Sequence, residues 1–217
     1  MTTFSPTDVI ERAFQIYKEQ AGVLLPPAAV IFAVAAIASH FLDSPALFIL
    51  AGAVGTVVAI FYSGMVVRLV DDVRDGIRDS TAADLFKSVA PVALPLFLLA
   101  VVVSVCVTIG FILLIVPGLF LLTIWAVAAP VVVLEGGGVF DAMERSRALV
   151  RGNGWNVFGV IVIVFLLQVI VGMVAGAIGE AGGHLVSTLA QWVTNVVVAP
   201  LAALTTAVLY FTLRDVR

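Results

Sequence analysis

Residues 89–134 form 46 consecutive positions without an Asp, Glu, Lys, Arg or His. As a single α-helix this run would extend about 70 Å at about 1.5 Å per residue. The hydrocarbon core of a bilayer is about 30 Å thick and is crossed by about 20 residues. The run is too long for one crossing and too apolar for a solvated helix, so it predicts two crossings joined by a tight turn. Composition extends the argument to the whole chain. Of its residues 62% are hydrophobic and 12% charged, with mean hydropathy +1.20, whereas a soluble domain carries about 25% charged residues. The fold class read from this is an all-α integral membrane protein, because a helix satisfies its backbone polar groups internally.

Six transmembrane helices are expected, at about 21–42, 46–70, 89–114, 119–134, 155–179 and 186–213. Short turns are expected at 43–45, 115–118 ("IVPG") and 180–184, and polar loops at 71–88 and 135–154. None of the eleven Lys and Arg residues falls in the three short turns. By the positive-inside rule both termini and both loops are then cytoplasmic, in a multi-pass protein of the cell (inner) membrane. Residues 1–20 precede this 21–213 membrane domain as an amphipathic interfacial helix. Ser5 is its N-cap, Pro6 its first residue, and Val9, Ile10, Ala13, Phe14 and Tyr17 its apolar stripe. Asp8, Glu11 and Glu19 occupy the places of the basic and apolar regions of a signal peptide, so none is read there. Segments 6–20, 81–88 and 139–151 each precede a pair of spans and each carry an early Asp and a Phe, a pattern of three helix-hairpin pseudo-repeats.

Cys106 is the single cysteine, which excludes an intrachain disulfide. A net charge of −3 leaves no basic footprint for nucleic acid. The densest charge lies in "VFDAMERSRALVRGNGW", residues 139–155. A helix starting after Gly136–Gly138 would place Asp141 with Arg145 and Glu144 with Arg147 at pairing distance. It would turn Phe140, Met143 and Val150 to the lipid boundary and end at "GNG", with Trp155 at headgroup level. Arg145, Arg147, Arg151 and Trp155 are the candidate contacts for membrane lipids, anionic ones included, or for a protein partner.

Residues 116–163 resemble the signature region of a prokaryotic membrane family. It comprises the membrane domain found fused to glycerophosphoryl diester phosphodiesterases and related six-span inner-membrane proteins without assigned function. The marks are Pro117-Gly118, Pro130, Leu134-Glu135, Ala142, Arg145-Ser146, Arg151-Gly152 and Trp155, covering about a quarter of the chain. The diesterase chemistry of that family belongs to a separate soluble domain that these residues do not contain. The resemblance implies a six-helix membrane protein and carries no activity with it.

Other constellations compete. "DDVRDGIRD" (71–79) fits the Asp pattern with which intramembrane prenyltransferases hold Mg²⁺ on a diphosphate. It would make the chain a Mg-dependent lipid-diphosphate enzyme acting through Asp71, Asp75 and Asp79. Gly76 interrupts it, Arg74 and Arg78 neutralise it, and no second Asp-rich loop follows. His40, Asp43, Glu180 and His184 all face the outer side and would make a metal site only if their turns met. No ionisable residue lies at mid-bilayer. Gln168 and Asn195 lie at similar depth, where they would hydrogen-bond across the last hairpin or line a permease for lipid-like substrates. Gly172 and Gly176 form a G-x-x-x-G, a spacing that serves internal packing or a homo-oligomer. No nucleophile–base pair, P-loop or dinucleotide fingerprint is present, so no catalytic residue, metal or cofactor is assigned. The leading expectation is a non-enzymatic membrane protein that organises lipids or partner proteins at the cytoplasmic leaflet.

Overall fold

The structure, a computed structural model, describes residues 4–41, 45–76 and 81–216, excluding the side chains of residues 35, 37–41, 45–54, 180, 181 and 184. Every regular element among the described residues is helical. They are α1 (Pro6–Glu19), α2 (Ala21–Phe41), α3 (Pro45–Arg74), α4 (Ala82–Val89), a 3₁₀ turn (Ala90–Val92), α5 (Ala93–Leu113), α6 (Ile115–Ile124), α7 (Ala128–Leu134), α8 (Val139–Val150), α9 (Gly154–Gly179) and α10 (Leu185–Asp215). Four of the described stretches are long and apolar enough to cross a membrane: Ala82–Leu113, Ile115–Leu134, Gly154–Gly179 and Leu185–Asp215. α2 and α3 are helices of 21 and 30 residues. The turn expected between them lies outside the described residues, except for Pro45, which opens α3.

The turn expected at 115–118 sits elsewhere. The chain reverses at Leu114, whose φ of −165° and ψ of 152° are extended. Pro117 lies in the first turn of α6, where an N–H would have no helical acceptor to lose. Pro and Gly mark the neighbourhood of this reversal without being its pivot. Gly118 instead lets the two helices close on each other: a β-carbon added at Gly110 would lie 3.0 Å from its Cα. The apolar stretch that begins at α6 is itself broken at 125–127. Pro130, in the first turn of α7, supplies no N–H, and its ring excludes a helical carbonyl four residues earlier. α9 and α10 are separated at Gly183, with φ 77° and ψ −176°.

The core is concentrated toward one end of the bundle. Tyr62, Met65, Val66 and Val70 of α3 are buried there with Leu204, Val208, Tyr210 and Leu213 of α10 and Val131–Val133 of α7. α10 is the central helix and α9 a peripheral one: 61% of the most apolar stretch of α10 is buried, against 11% for α9. Hydrogen bonds to backbone oxygens tie α2 in. Tyr62 Oη donates to the Leu24 carbonyl at 3.0 Å and Trp192 Nε1 to that of Ala29 at 3.0 Å, replacing water that the bilayer does not supply.

α1 does more than rest on an interface. Val9 and Ala13 are fully buried in the core, while Phe14 of the expected stripe is 46% exposed. The start of α1 is pinned by Asn156 Nδ2, which donates to the Phe4 carbonyl at 2.9 Å. Ser5 is the N-cap residue, but its hydroxyl pairs with that of Thr7 and caps no backbone N–H. α4 is capped by Thr81, whose Oγ1 accepts from Asp84 N and donates to the Asp84 carboxylate at 2.6 Å.

Candidate functional site

The charged stretch after α7 begins with a turn that only glycine makes cheaply: Gly136 and Gly137 have φ of 73° and 96°. α8 then starts at Val139, its first turn closed by Asp141 Oδ2 accepting from Gly138 N at 3.1 Å. Ala142, Ser146, Leu149 and Val150 fall on one side of α8 and are buried. Ser146 is completely buried and donates to the Ile124 carbonyl at 2.9 Å. The break after α6 leaves that carbonyl in a last helical turn, where a carbonyl needs an outside donor. Met143 and Val150, expected at the lipid boundary, belong to this inner face; Phe140 is 76% exposed.

Arg145 does not pair with Asp141, which is occupied at the N-cap. It reaches Glu135, with Nε 2.9 Å from Oε2. Glu135 also accepts from the buried Tyr210 hydroxyl at 2.7 Å. One carboxylate thus joins the end of α7 to α8 and α10. Nearby, the Arg214 guanidinium lies 4.8 Å from the Phe211 ring centre and 5.8 Å from that of Tyr210. Arg74 pairs with Asp215 at 2.6 Å, joining α3 to α10. Burial, followed by the charge of Asp75, raises the Asp71 carboxyl above its usual range, while Arg68 and Arg214 draw it back.

The opposite face of α8 borders an open groove of about 1180 Å³ between α6, α8 and α9. Glu144, Arg147 and Arg151 form its polar rim, and Val116, Leu119 and Phe120 of α6 and Trp155 and Phe158 of α9 form its apolar walls. Trp155 is 86% exposed and meets Phe158 edge to face at 6.1 Å. Arg147 makes no ion pair among the described residues. The three candidate arginines are therefore divided: Arg147 and Arg151 line the groove, and Arg145 is turned to Glu135. Reading the sequence missed Glu135 and Tyr210 as a pair, and missed the α6 wall. Nothing local to those residues distinguishes them from other apolar or terminal positions.

Gln168 and Asn195 are both exposed, and no hydrogen bond joins them. Gly172 and Gly176 are also exposed, with nothing within 4 Å of an added β-carbon. Among the described residues no three His, Cys, Asp or Glu side chains converge to hold a metal. Asp71 and Asp75 flank the end of α3, while Asp79 and the other proposed metal set, His40, Asp43, Glu180 and His184, lie outside the described side chains.

Residues 21–204 match the uncharacterised protein family UPF0259, and the chain belongs to that family. No curated protein and no solved structure matches it.

Proposed function

We propose that this UPF0259 protein is a non-enzymatic, multi-pass protein of the cell (inner) membrane that holds a phospholipid at the cytoplasmic leaflet, organising lipids or partner proteins there. The observation that carries the reading is the groove. Guanidinium groups at its rim suit a phosphate, which Arg binds through paired N–H donors. Its apolar wall follows α6 from Ile124 to Val116, about 12 Å of helix along which an acyl chain can lie. Six crossings with cytoplasmic termini are supported by the lengths of α2 and α3 beside the four apolar stretches long enough to span. The exclusion of Lys and Arg from the short turns supports the orientation. In this arrangement α8 and the groove rim face the anionic cytoplasmic surface.

Native mass spectrometry of the full chain, released from mild detergent, tests the reading. The wild type should carry bound phospholipid, and Arg147→Gln with Arg151→Gln should lose it while remaining folded. A wild type without lipid, or a folded double variant that retains it fully, would refute the groove as the lipid site.

A further inference from the structure

We infer that the lipid headgroup taken by the groove is zwitterionic, a phosphate bearing a primary ammonium, as in phosphatidylethanolamine. The inference rests on the phospholipid reading above and adds the role of Glu144.

Glu144 lines the groove with Arg147 and Arg151. Positions 144, 147 and 151 are three and four residues apart, so their side chains share one helix face. The rise from Glu144 to Arg147 is about 4.5 Å and from Arg147 to Arg151 about 6 Å. The other acids of this region are already engaged. Asp141 closes the first turn of α8, and Glu135 receives Arg145 and Tyr210. Glu144 and Arg147 stand at a spacing that permits an ion pair, yet none forms, and Glu144 has no hydrogen-bond or ion-pair partner among the described residues. The rim thus presents a carboxylate directly beside two guanidinium groups.

A purely anionic headgroup would satisfy the arginines and place its negative charge beside Glu144. A phosphate carrying a primary ammonium satisfies both signs. The phosphate oxygens accept from Arg147 and Arg151, and the ammonium N–H groups donate to the Glu144 carboxylate as charge-assisted hydrogen bonds. A trimethylammonium headgroup has the charge but no N–H to donate. The order of preference is therefore phosphatidylethanolamine, then phosphatidylcholine and phosphatidylglycerol.

The test equilibrates the full chain in detergent with equal amounts of the three lipids, matched in acyl chains, and measures bound lipid by native mass spectrometry. The wild type should enrich phosphatidylethanolamine about threefold over phosphatidylglycerol, the factor of one solvent-screened charge pair at the exposed Glu144. Glu144→Gln should abolish that enrichment while total bound phospholipid persists, and Glu144→Asp should restore part of it. Glu144 is exposed, so these variants leave the core intact. Bound phospholipid without headgroup preference, or a preference unchanged in Glu144→Gln, overturns the inference and leaves the phosphate site standing. A wild type that binds none of the three overturns both.

Discussion

Removing the Tyr210 hydroxyl should destabilise the bundle more than removing the charge of Arg145, although both groups contact Glu135. The Tyr210 side chain is fully buried, and its hydroxyl lies 2.7 Å from Oε1. A hydrogen bond to a charged acceptor contributes about 1.5–3 kcal/mol net. Arg145 and Glu135 form a close pair, but their side chains are 45% and 32% exposed, and pairs screened in this way contribute about 0–1 kcal/mol. Tyr210→Phe should therefore cost about 2 kcal/mol and Arg145→Gln under about 1 kcal/mol. In a Glu135→Leu background Tyr210→Phe should cost almost nothing, giving a coupling of about 1.5 kcal/mol or more. The assay is reversible unfolding in mixed micelles, run as a double-mutant cycle. A larger loss for Arg145→Gln than for Tyr210→Phe, or additive effects of Glu135→Leu and Tyr210→Phe, would refute the assignment of Glu135 as the acceptor that locks α10 to α7.

Further outcomes follow from single contacts. Ser146→Ala should cost about 1–2 kcal/mol in the same unfolding assay, because the Ile124 carbonyl loses its donor inside the core; an unchanged midpoint would mean that the carbonyl finds another. Gly110→Ala should cost about 1–3 kcal/mol, since the new methyl meets the backbone of Gly118 at 3.0 Å and the α5–α6 pair must open. Gln168→Leu should leave stability unchanged or raise it, because an exposed amide without a partner among the described residues is replaced by an apolar group in lipid; a loss above about 1 kcal/mol would show that the amide is hydrogen-bonded. The Thr81 hydroxyl holds the Asp84 carboxyl below its ordinary range. A depressed folded-state value means stabilisation that is present above the ordinary carboxyl range and is lost as pH falls through the depressed value. Thr81→Ala should therefore flatten the acid side of the stability–pH profile, and an unchanged profile would remove Asp84 as its source.

Membrane character was legible because it depends on long-range composition: the 89–134 run can be satisfied only by lipid or by other helices. The start of α1 at Pro6 and the break near Gly183 were legible because they depend on local chemistry, although the Ser5 hydroxyl does not make the cap its position suggests. What escaped depends on which helices meet. The Leu114 reversal was masked by Pro117, a residue equally at home in a turn and in a first helical turn. The 125–127 break was masked by an apolar run without Gly. Met143 and Val150 satisfy an amphipathic pattern whether their neighbour is lipid or protein, so periodicity alone assigned them to the wrong one. Arg145 was paired by spacing with Asp141, but a stronger local demand, the unsatisfied N–H of Gly138, had taken that acid.

That competition explains why α8 can serve as a binding surface at all. A helix of 12 residues has little stability in isolation, and arginines on such a helix would not hold a fixed site. α8 is fixed by contacts around its other side: Ser146 to the freed carbonyl of α6, Arg145 to Glu135, Asp141 to its own N-terminus, and Leu149 and Val150 in the core. These contacts leave Glu144, Arg147 and Arg151 on the remaining face, at positions set by the bundle rather than by one another. The break between α6 and α7 contributes twice. It exposes the carbonyl that Ser146 needs, and it ends α6 beside α8, so that Leu119 and Phe120 become the wall of the groove. The irregularity in the apolar span and the charged helix after it are parts of one arrangement.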